Sequence, residues 1–136
     1  MKIKTELMRK VEKYIVSSPW DEEAGGFLLE SDRTHVVMDF LPIPNIAPSP
    51  QTTYRFPENA LKTARRYSNS KRMTVVADWH SHPDPCIMST ADLSYARAND
   101  DLFMVTISPT SKYHSRDCQY LWYACKGVKP ERIEEV

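Results

Sequence analysis

The run Met73-Thr74-Val75-Val76-Ala77 is β-branched and apolar, and within three residues it reaches His80-Ser81-His82-Pro83. A run of this composition makes a buried strand, which commits the segment to a sheet. Alternate residues of a strand share a face, so His80 and His82 present both imidazoles in one direction at the strand's C-terminal end. Pro83 then turns the chain away. Downstream, Ser89-Thr90-Ala91-Asp92 has the signature of a helix start, with Ser89 as N-cap and Asp92 in the first turn. A loop from strand end to helix start can bring that carboxylate to the two histidines.

Two imidazoles and one carboxylate leave a fourth position for water, the ligand count of catalytic rather than structural zinc. Each motif alone has a plainer explanation: Ser-x-x-Asp is also an ordinary capping box, and two histidines around a serine also describe a polar strand end. Their order along the chain favours the metal. Glu22-Glu23-Ala24-Gly25-Gly26-Phe27-Leu28-Leu29 adds a carboxylate just before a glycine pair that opens an apolar strand. Alone it reads as a loop-to-strand turn with solvated acids. A zinc hydrolase, however, needs a general base that is not a ligand, and Glu23 is the candidate, with Glu22 the alternative.

Taken together, these residues resemble the JAMM (MPN+) zinc metallopeptidases, which include deubiquitinating isopeptidases and small prokaryotic or phage-type relatives. The family pattern is an upstream Glu, then His-x-His-Pro, then Ser-x-x-Asp. The resemblance implies that Glu23 is the catalytic acid/base, that His80, His82 and Asp92 hold one catalytic Zn2+, and that Ser89 steadies the oxyanion. It extends from about residue 20 to 108. Trp79 precedes the first His as is common in the prokaryotic branch, Leu41 to Ala47 resembles the family's post-strand segment carrying an Asn, here Asn45, and Tyr54-Arg55-Phe56-Pro57 resembles its approach to the second helix. Asn45 and Trp79 are the implied substrate-binding candidates. Two departures stand out: six residues separate His82 from Ser89 where the family usually has seven, and Glu30 stands where relatives often carry Gly.

The order of elements follows from periodicity. Residues 2 to 17 carry Ile3, Leu7, Val11, Tyr14 and Ile15 at helical spacing. Strands are expected at 25 to 30 and 35 to 41, joined by the polar Ser31-Asp32-Arg33-Thr34. Residues 42 to 57 hold five prolines and should be irregular. A second helix follows with Pro57 in its first turn and Ala60, Leu61, Ala64 and Tyr67 in its body. Then come a strand at 73 to 80, a helix at 89 to 99, strands at 102 to 107 and 119 to 126, and an unassigned tail at 128 to 136. The expected fold is α/β: a mixed β-sheet flanked by helices, cytidine-deaminase-like as the resemblance implies. A chain of 136 residues with 41% apolar content can bury one core, so one domain spanning 1 to 136 is expected.

Eighteen basic and eighteen acidic residues cancel, so nothing global points to nucleic acid or a membrane. The basic group Lys62, Arg65, Arg66, Lys71 and Arg72 is explained by a solvated helix face. The N-terminal segment is amphipathic and charge-interrupted, unlike a signal peptide, and the expected location is cytoplasmic. Cys86, Cys118 and Cys125 are an odd set without CxxC spacing, unlike a disulfide framework. Cys118 and Cys125 are expected to be buried and inert. Cys86, between the metal motifs, could reach the ion, although the family offers no such ligand.

The resemblance further implies hydrolysis of a peptide or isopeptide bond after the Gly-rich tail of a ubiquitin-like or sulfur-carrier protein. That tail would lie between residues 45 to 53 and 108 to 115, held partly by strand addition. His114 is expected to be a surface histidine. The competing class is a non-catalytic MPN-type module that only binds partners in a larger assembly. A zinc nucleoside deaminase would need His-x-Glu and Pro-Cys-x-x-Cys, and neither is present. No oligomeric state is implied.

Overall fold

Strand β4, Met73–Ser81, runs through the middle of an eight-stranded mixed sheet in a computed structural model that describes residues 1–19, 21–111 and 119–136. The elements are β1 (Lys2–Ile3), α1 (Thr5–Ser17), β2 (Gly25–Ser31), β3 (Val37–Pro42), α2 (Ala60–Ser70), β4, α3 (Thr90–Ala98), β5 (Phe103–Pro109), β6 (Tyr120–Lys126), β7 (Lys129–Glu131) and β8 (Glu134–Glu135). They lie side by side in the order β7-β6-β5-β4-β2-β3-β1-β8. Strand β4 is antiparallel to β2 and parallel to β5. A parallel pair needs a crossover, and α3 provides it, leaving the C-terminal end of β4 open beside the helix's first turn.

The two outer strands, β7 and β8, are separated in sequence by only Arg132 and Ile133. Three residue steps reach at most about 11 Å, whereas eight flat strands would span roughly 33 Å. The sheet is therefore strongly curled, and its concave side wraps α1. Leu7, Met8 and Val11 of α1 are buried against Ile3, Leu28, Val37, Ala77, Trp79, Val105 and Ile107. Tyr14 and Phe40 meet the Trp79 ring edge-on, with centroids 6.2 and 6.3 Å away.

The other face carries α2 and α3. Ala60, Ala64 and Ser68, spaced by four, are the buried stripe of α2. Phe27, Leu29 and Val75 complete a second cluster with it, and Ala96 of α3 packs on Met104 and Cys125. One irregularity makes this division possible. Leu28 pairs with Ala77 but Leu29 with Val75, so Val76 is an extra residue, a bulge that reverses which side chains face α2. Beyond the bulge, Ala77 and Trp79 face α1, and Asp78 and His80 face the α3 side.

Several boundaries differ from the sequence expectation for identifiable reasons. Helix α1 begins at Thr5, because Lys2 and Ile3 pair in parallel with Glu134 and Glu135. The unassigned tail is thus two sheet edges. Strand β3 starts at Val37 because His35 takes a positive φ of 57° after the turn. Pro57 lies before α2: its carbonyl accepts from the Ala60 amide in a separate turn, and Asn59, with φ 65°, precedes the helix. Lys62, Arg65, Arg66, Lys71 and Arg72 are all exposed, as a solvated face requires. Cys125 is buried and Cys86 exposed, both as free thiols; Cys118 and His114 lie outside the described residues. Among the described residues no helix is long and apolar enough to cross a membrane.

Gly26 lies where three strands crowd: a Cβ there would stand 2.0 Å from the Leu41 carbonyl oxygen and 2.9 Å from the Pro42 Cα, both main-chain atoms that cannot swing aside. Gly26→Ala should therefore destabilise the protein by about 3 kcal/mol or more, as overpacking against backbone does. Chemical denaturation checks this, and a loss below about 1 kcal/mol would contradict the crowding.

Candidate metal centre

His80 sits on the last turn of the β4 pleat, and His82 follows the strand's final residue. The ladder nonetheless continues through it, since the His82 amide donates to the Ile107 carbonyl at 3.0 Å. Both rings therefore keep the strand's alternation, and their centroids are 5.0 Å apart. The carboxylate arrives from α3. Ser89 Oγ accepts from the Asp92 amide at 3.0 Å, and the Ser89 amide donates to Asp92 Oδ2 at 3.0 Å, a complete capping box. This reciprocal pair fixes the rotamer of Asp92, so the cap is also what aims the carboxylate.

Its two oxygens are divided between the histidines. Oδ1 lies 2.9 Å from His80 Nε2, and Oδ2 lies 3.0 Å from His82 Nε2. The loop one residue shorter than the family's still closes this geometry. Thr106 Oγ1 donates to the Ile87 carbonyl at 2.5 Å, and Ser108 Oγ donates to the Cys86 carbonyl, so two hydroxyls of β5 pin the loop. Cys86 contributes that carbonyl rather than its thiol.

The protonation logic of the rings points to a cation. His82 Nδ1 faces the Cys86 carbonyl, which can only accept, so Nδ1 carries the hydrogen and Nε2 is left with a lone pair. That lone pair points at the Asp92 oxygen 3.0 Å away, and two acceptors hold that distance only with a proton or a metal ion between them. His80 Nε2 is buried and has no hydrogen-bond partner, because Asp92 Oδ1 is close but out of line. Ligand atoms around a tetrahedral zinc stand about 3.3 Å apart, given bonds of about 2.0–2.1 Å. The donor set and spacing fit zinc, and the backbone carbonyl behind His82 is the outer-shell partner that metal-ligating histidines use.

Glu23 completes the cluster. Its carboxylate and the two imidazoles lie within 4.8 Å of one another, and Glu23 Oε1 is 4.0 Å from His80 Nε2. Gly25 pairs with His80 across the β2–β4 ladder, and Ser81 binds Ala24 by main chain and hydroxyl, at 2.7 and 3.0 Å. The loop locks in from the other side: the Glu23 amide donates to the Pro50 carbonyl at 2.7 Å, and Asn45 Nδ2 donates to the Glu23 carbonyl at 2.9 Å. Burial raises the pKa of Glu23, opposed by the charge of His80 and His82. Burial would raise Asp92 as well, but the adjoining His80 and His82 rings and the Ser89 amide hold it well below the usual carboxylate range. For His82, burial opposes the charged form, yet Asp92 and the Cys86 carbonyl outweigh it and the pKa is raised.

The structure thus brings together Glu23, His80, His82, Asp92 and Ser89. It does not bring Trp79 to them: that ring is fully buried on the opposite face of β4, as strand alternation requires, so the expected substrate contact is corrected to a core packing role. Asn45 has its amide occupied by the loop, donating also to the Thr53 carbonyl and accepting from the Ala47 and Arg55 amides. It braces Glu23 rather than offering free groups to a substrate. Sequence reasoning missed Ser108, Tyr54 and Asp78. Tyr54 stacks on His80 with ring planes 14° apart, anchored by its hydroxyl donating to the Ile43 carbonyl. Asp78 is 5% exposed, and burial pushes its carboxyl up to about 7. A charged residue inside an apolar strand two positions before His80 was the available signal.

The family described as prokaryotic homologs of the JAB domain matches residues 5–122. Among solved structures, a protein from Desulfitobacterium hafniense is similar with a TM-score of 0.76 at 20% identity, covering 99% of this chain and 92% of that one. A JAB1/MPN domain protein from Archaeoglobus fulgidus is similar with a TM-score of 0.63 at 20% identity, covering 100% and 99%. A structure described as a metalloprotease-like zinc site, JAMM, in the proteasome and signalosome has a TM-score of 0.56 at 18% identity, covering 100% and 97%. No curated protein matches the chain at significance. At these identities the structures speak to the fold alone: a mixed sheet flanked by helices, of JAB/MPN type.

Zinc should raise thermal stability, by about 3 kcal/mol when free metal is about 100 times Kd, and His82→Ala should abolish that gain. Because His82 must be neutral to offer Nε2 and its pKa in the metal-free protein is raised, zinc affinity should fall as pH drops through that pKa, beginning above the range of an ordinary imidazole. Calorimetric zinc titrations from pH 8 to 5 check both statements; a pH-independent affinity would contradict the assignment.

Proposed function

The chain belongs to the prokaryotic homologs of the JAB domain, and from that membership and the site's geometry we propose that it is a zinc-dependent hydrolase of peptide or isopeptide bonds. The observation that carries this reading is the convergence of His80, His82 and Asp92 with a separate buried carboxylate, Glu23, 4.0 Å from His80 Nε2. A binding module has no use for a buried acid beside metal ligands, whereas a hydrolase requires one.

Zinc held by His80, His82 and Asp92 would polarise a carbonyl oxygen and acidify a water molecule. The chain's own residues do the rest. Glu23, with its affinity for protons raised by burial, takes a proton from the attacking water and returns it to the leaving amine. Ser89 Oγ spends a lone pair on the Asp92 amide, which leaves its hydrogen to donate to the substrate oxygen as charge builds there. Asn45 and Ser81 hold the Glu23 segment against β4, so the base keeps its distance from the metal ligands.

For substrate, we extend the reading to the Gly-rich C-terminal tail of a ubiquitin-like or sulfur-carrier protein. An extended tail without side chains suits an approach past residues 45–53, which form no helix or strand and from which Thr52 and Thr53 line the cavity at the site. The opposite flank proposed from sequence, residues 108–115, lies largely outside the described residues.

Glu23→Gln should retain one zinc per chain and lose turnover by about 100-fold or more, the usual scale for a general base. Metal content and cleavage of ubiquitin-like proteins fused through a Gly-Gly tail measure both. Near-full turnover in the variant would overturn the role of Glu23.

A further inference from the structure

The metal centre opens into a cavity of about 410 Å³, part of whose lining the chemistry above leaves without a role. Its floor is Asp78 and Met104, paired across β4 and β5 and exposed by only 5% and 2%. Its walls include Tyr54, Phe56 and Tyr95, and Glu23, His80 and Asp92 border the side that holds the metal centre. Tyr95 is 42% exposed and Arg55 is also exposed, so these residues mark the rim. The cavity is an aromatic and apolar shaft with a carboxyl group at its base.

That carboxyl has no side-chain partner. Among the hydrogen bonds and ion pairs of the described residues, Asp78 meets only its own backbone amide. His80 is beyond ion-pair distance, although its charge is felt. The Asp78 oxygens are not among the fully buried side-chain atoms left without a partner, so the carboxyl opens onto the cavity, where a ligand can reach it. Asp78 is not among the residues whose ligand atoms cluster at the metal centre, and the chemistry above gives it no role. It lies one pleat repeat from His80, about 6.5–7 Å along the strand, a distance that a single extended side chain covers.

We infer that this cavity includes a specificity subsite for a basic side chain, lysine or arginine, of the residue on the leaving-amine side of the scissile bond, with Asp78 as the group that pairs with the cation. An aliphatic stem suits walls of Tyr54, Phe56 and Met104, the exposed faces of aromatic rings attract cations, and a carboxyl at the closed end matches the charged tip. A neutral or acidic side chain of the same length would leave Asp78 unpaired or repelled. The placement of the cavity as a substrate subsite rests on the hydrolase reading; the binding of a cation in it does not.

The test uses n-butylguanidinium and its neutral isostere n-butylurea, neither of which is a strong zinc ligand, titrated into the protein with and without zinc and followed by backbone amide shifts. The guanidinium should bind about ten-fold or more tightly than the urea, with shifts centred on Phe56, Asp78, Tyr95 and Met104. Asp78→Asn should remove that preference. Equal binding of the two probes to the unmutated protein would overturn the inference whether or not the variant folds, and so would guanidinium preference undiminished in Asp78→Asn. In parallel, peptides carrying arginine or citrulline on the leaving-amine side of the scissile bond are offered to the zinc-loaded protein. Preferential cleavage of the arginine peptide supports both readings. Guanidinium binding with no cleavage of any peptide would sink the hydrolase while leaving the cation site, and cleavage without preference would sink the subsite while leaving the hydrolase.

Discussion

The Asp92 carboxylate is held between two histidines, with Oδ1 2.9 Å from His80 Nε2 and Oδ2 3.0 Å from His82 Nε2, while His82 Nδ1 is committed to a backbone carbonyl on its far side. The rest of the site follows from that constraint. The Cys86 carbonyl sets the tautomer of His82, the Ser89 cap sets the rotamer of Asp92, and the hydroxyls of Thr106 and Ser108 set the loop between them. None of these supports is itself a candidate ligand. Each removes a rotation that would otherwise let the histidines and the carboxylate drift apart, which is how a metal site is preorganised.

The sheet serves the same end at a larger scale. Strand β4 is flanked by β2 and β5, so the histidines are braced on one side by the segment carrying Glu23 and on the other by the strand carrying Ser108. The close approach at Gly26 lets β2 sit tightly between β3 and β4. The bulge at Val76 then separates the two faces: Trp79 becomes a core anchor under α1, while Asp78 and His80 turn toward α3. One inserted residue in one strand thus decides which side chains stabilise the fold and which can meet a substrate.

Much of this was legible beforehand because it is local. A β-branched run, a His-x-His spacing and a Ser-x-x-Asp cap are short-range patterns whose geometry is set by strand and helix repeats. They placed the histidines at a strand end and the carboxylate in a first helical turn, and the mixed sheet with flanking helices followed. What failed was longer in range. Trp79 was adjacent to a candidate ligand in sequence, but adjacency on a strand means the opposite face. Asn45 stands in a segment that resembles a substrate flank, yet its amide is used up in bracing Glu23. The strands at Lys129–Glu131 and Glu134–Glu135 have no periodic signal and exist because the curled sheet offers them edges.

By itself, then, the sequence determined the chemical types and their local presentation: two imidazoles on one strand face, a carboxylate locked by its own cap, an acid ahead of two glycines. Tertiary structure alone decided that these groups converge, because convergence depends on the pairing of Gly25 with His80, on the length of the pinned loop and on the crossover through α3. It also decided that Asp78, nearly buried in the sheet, lines the cavity at the metal centre. The physical reason is common to both: hydrogen-bond repeats fix direction along an element, while distance between elements is set by packing, which no single segment encodes.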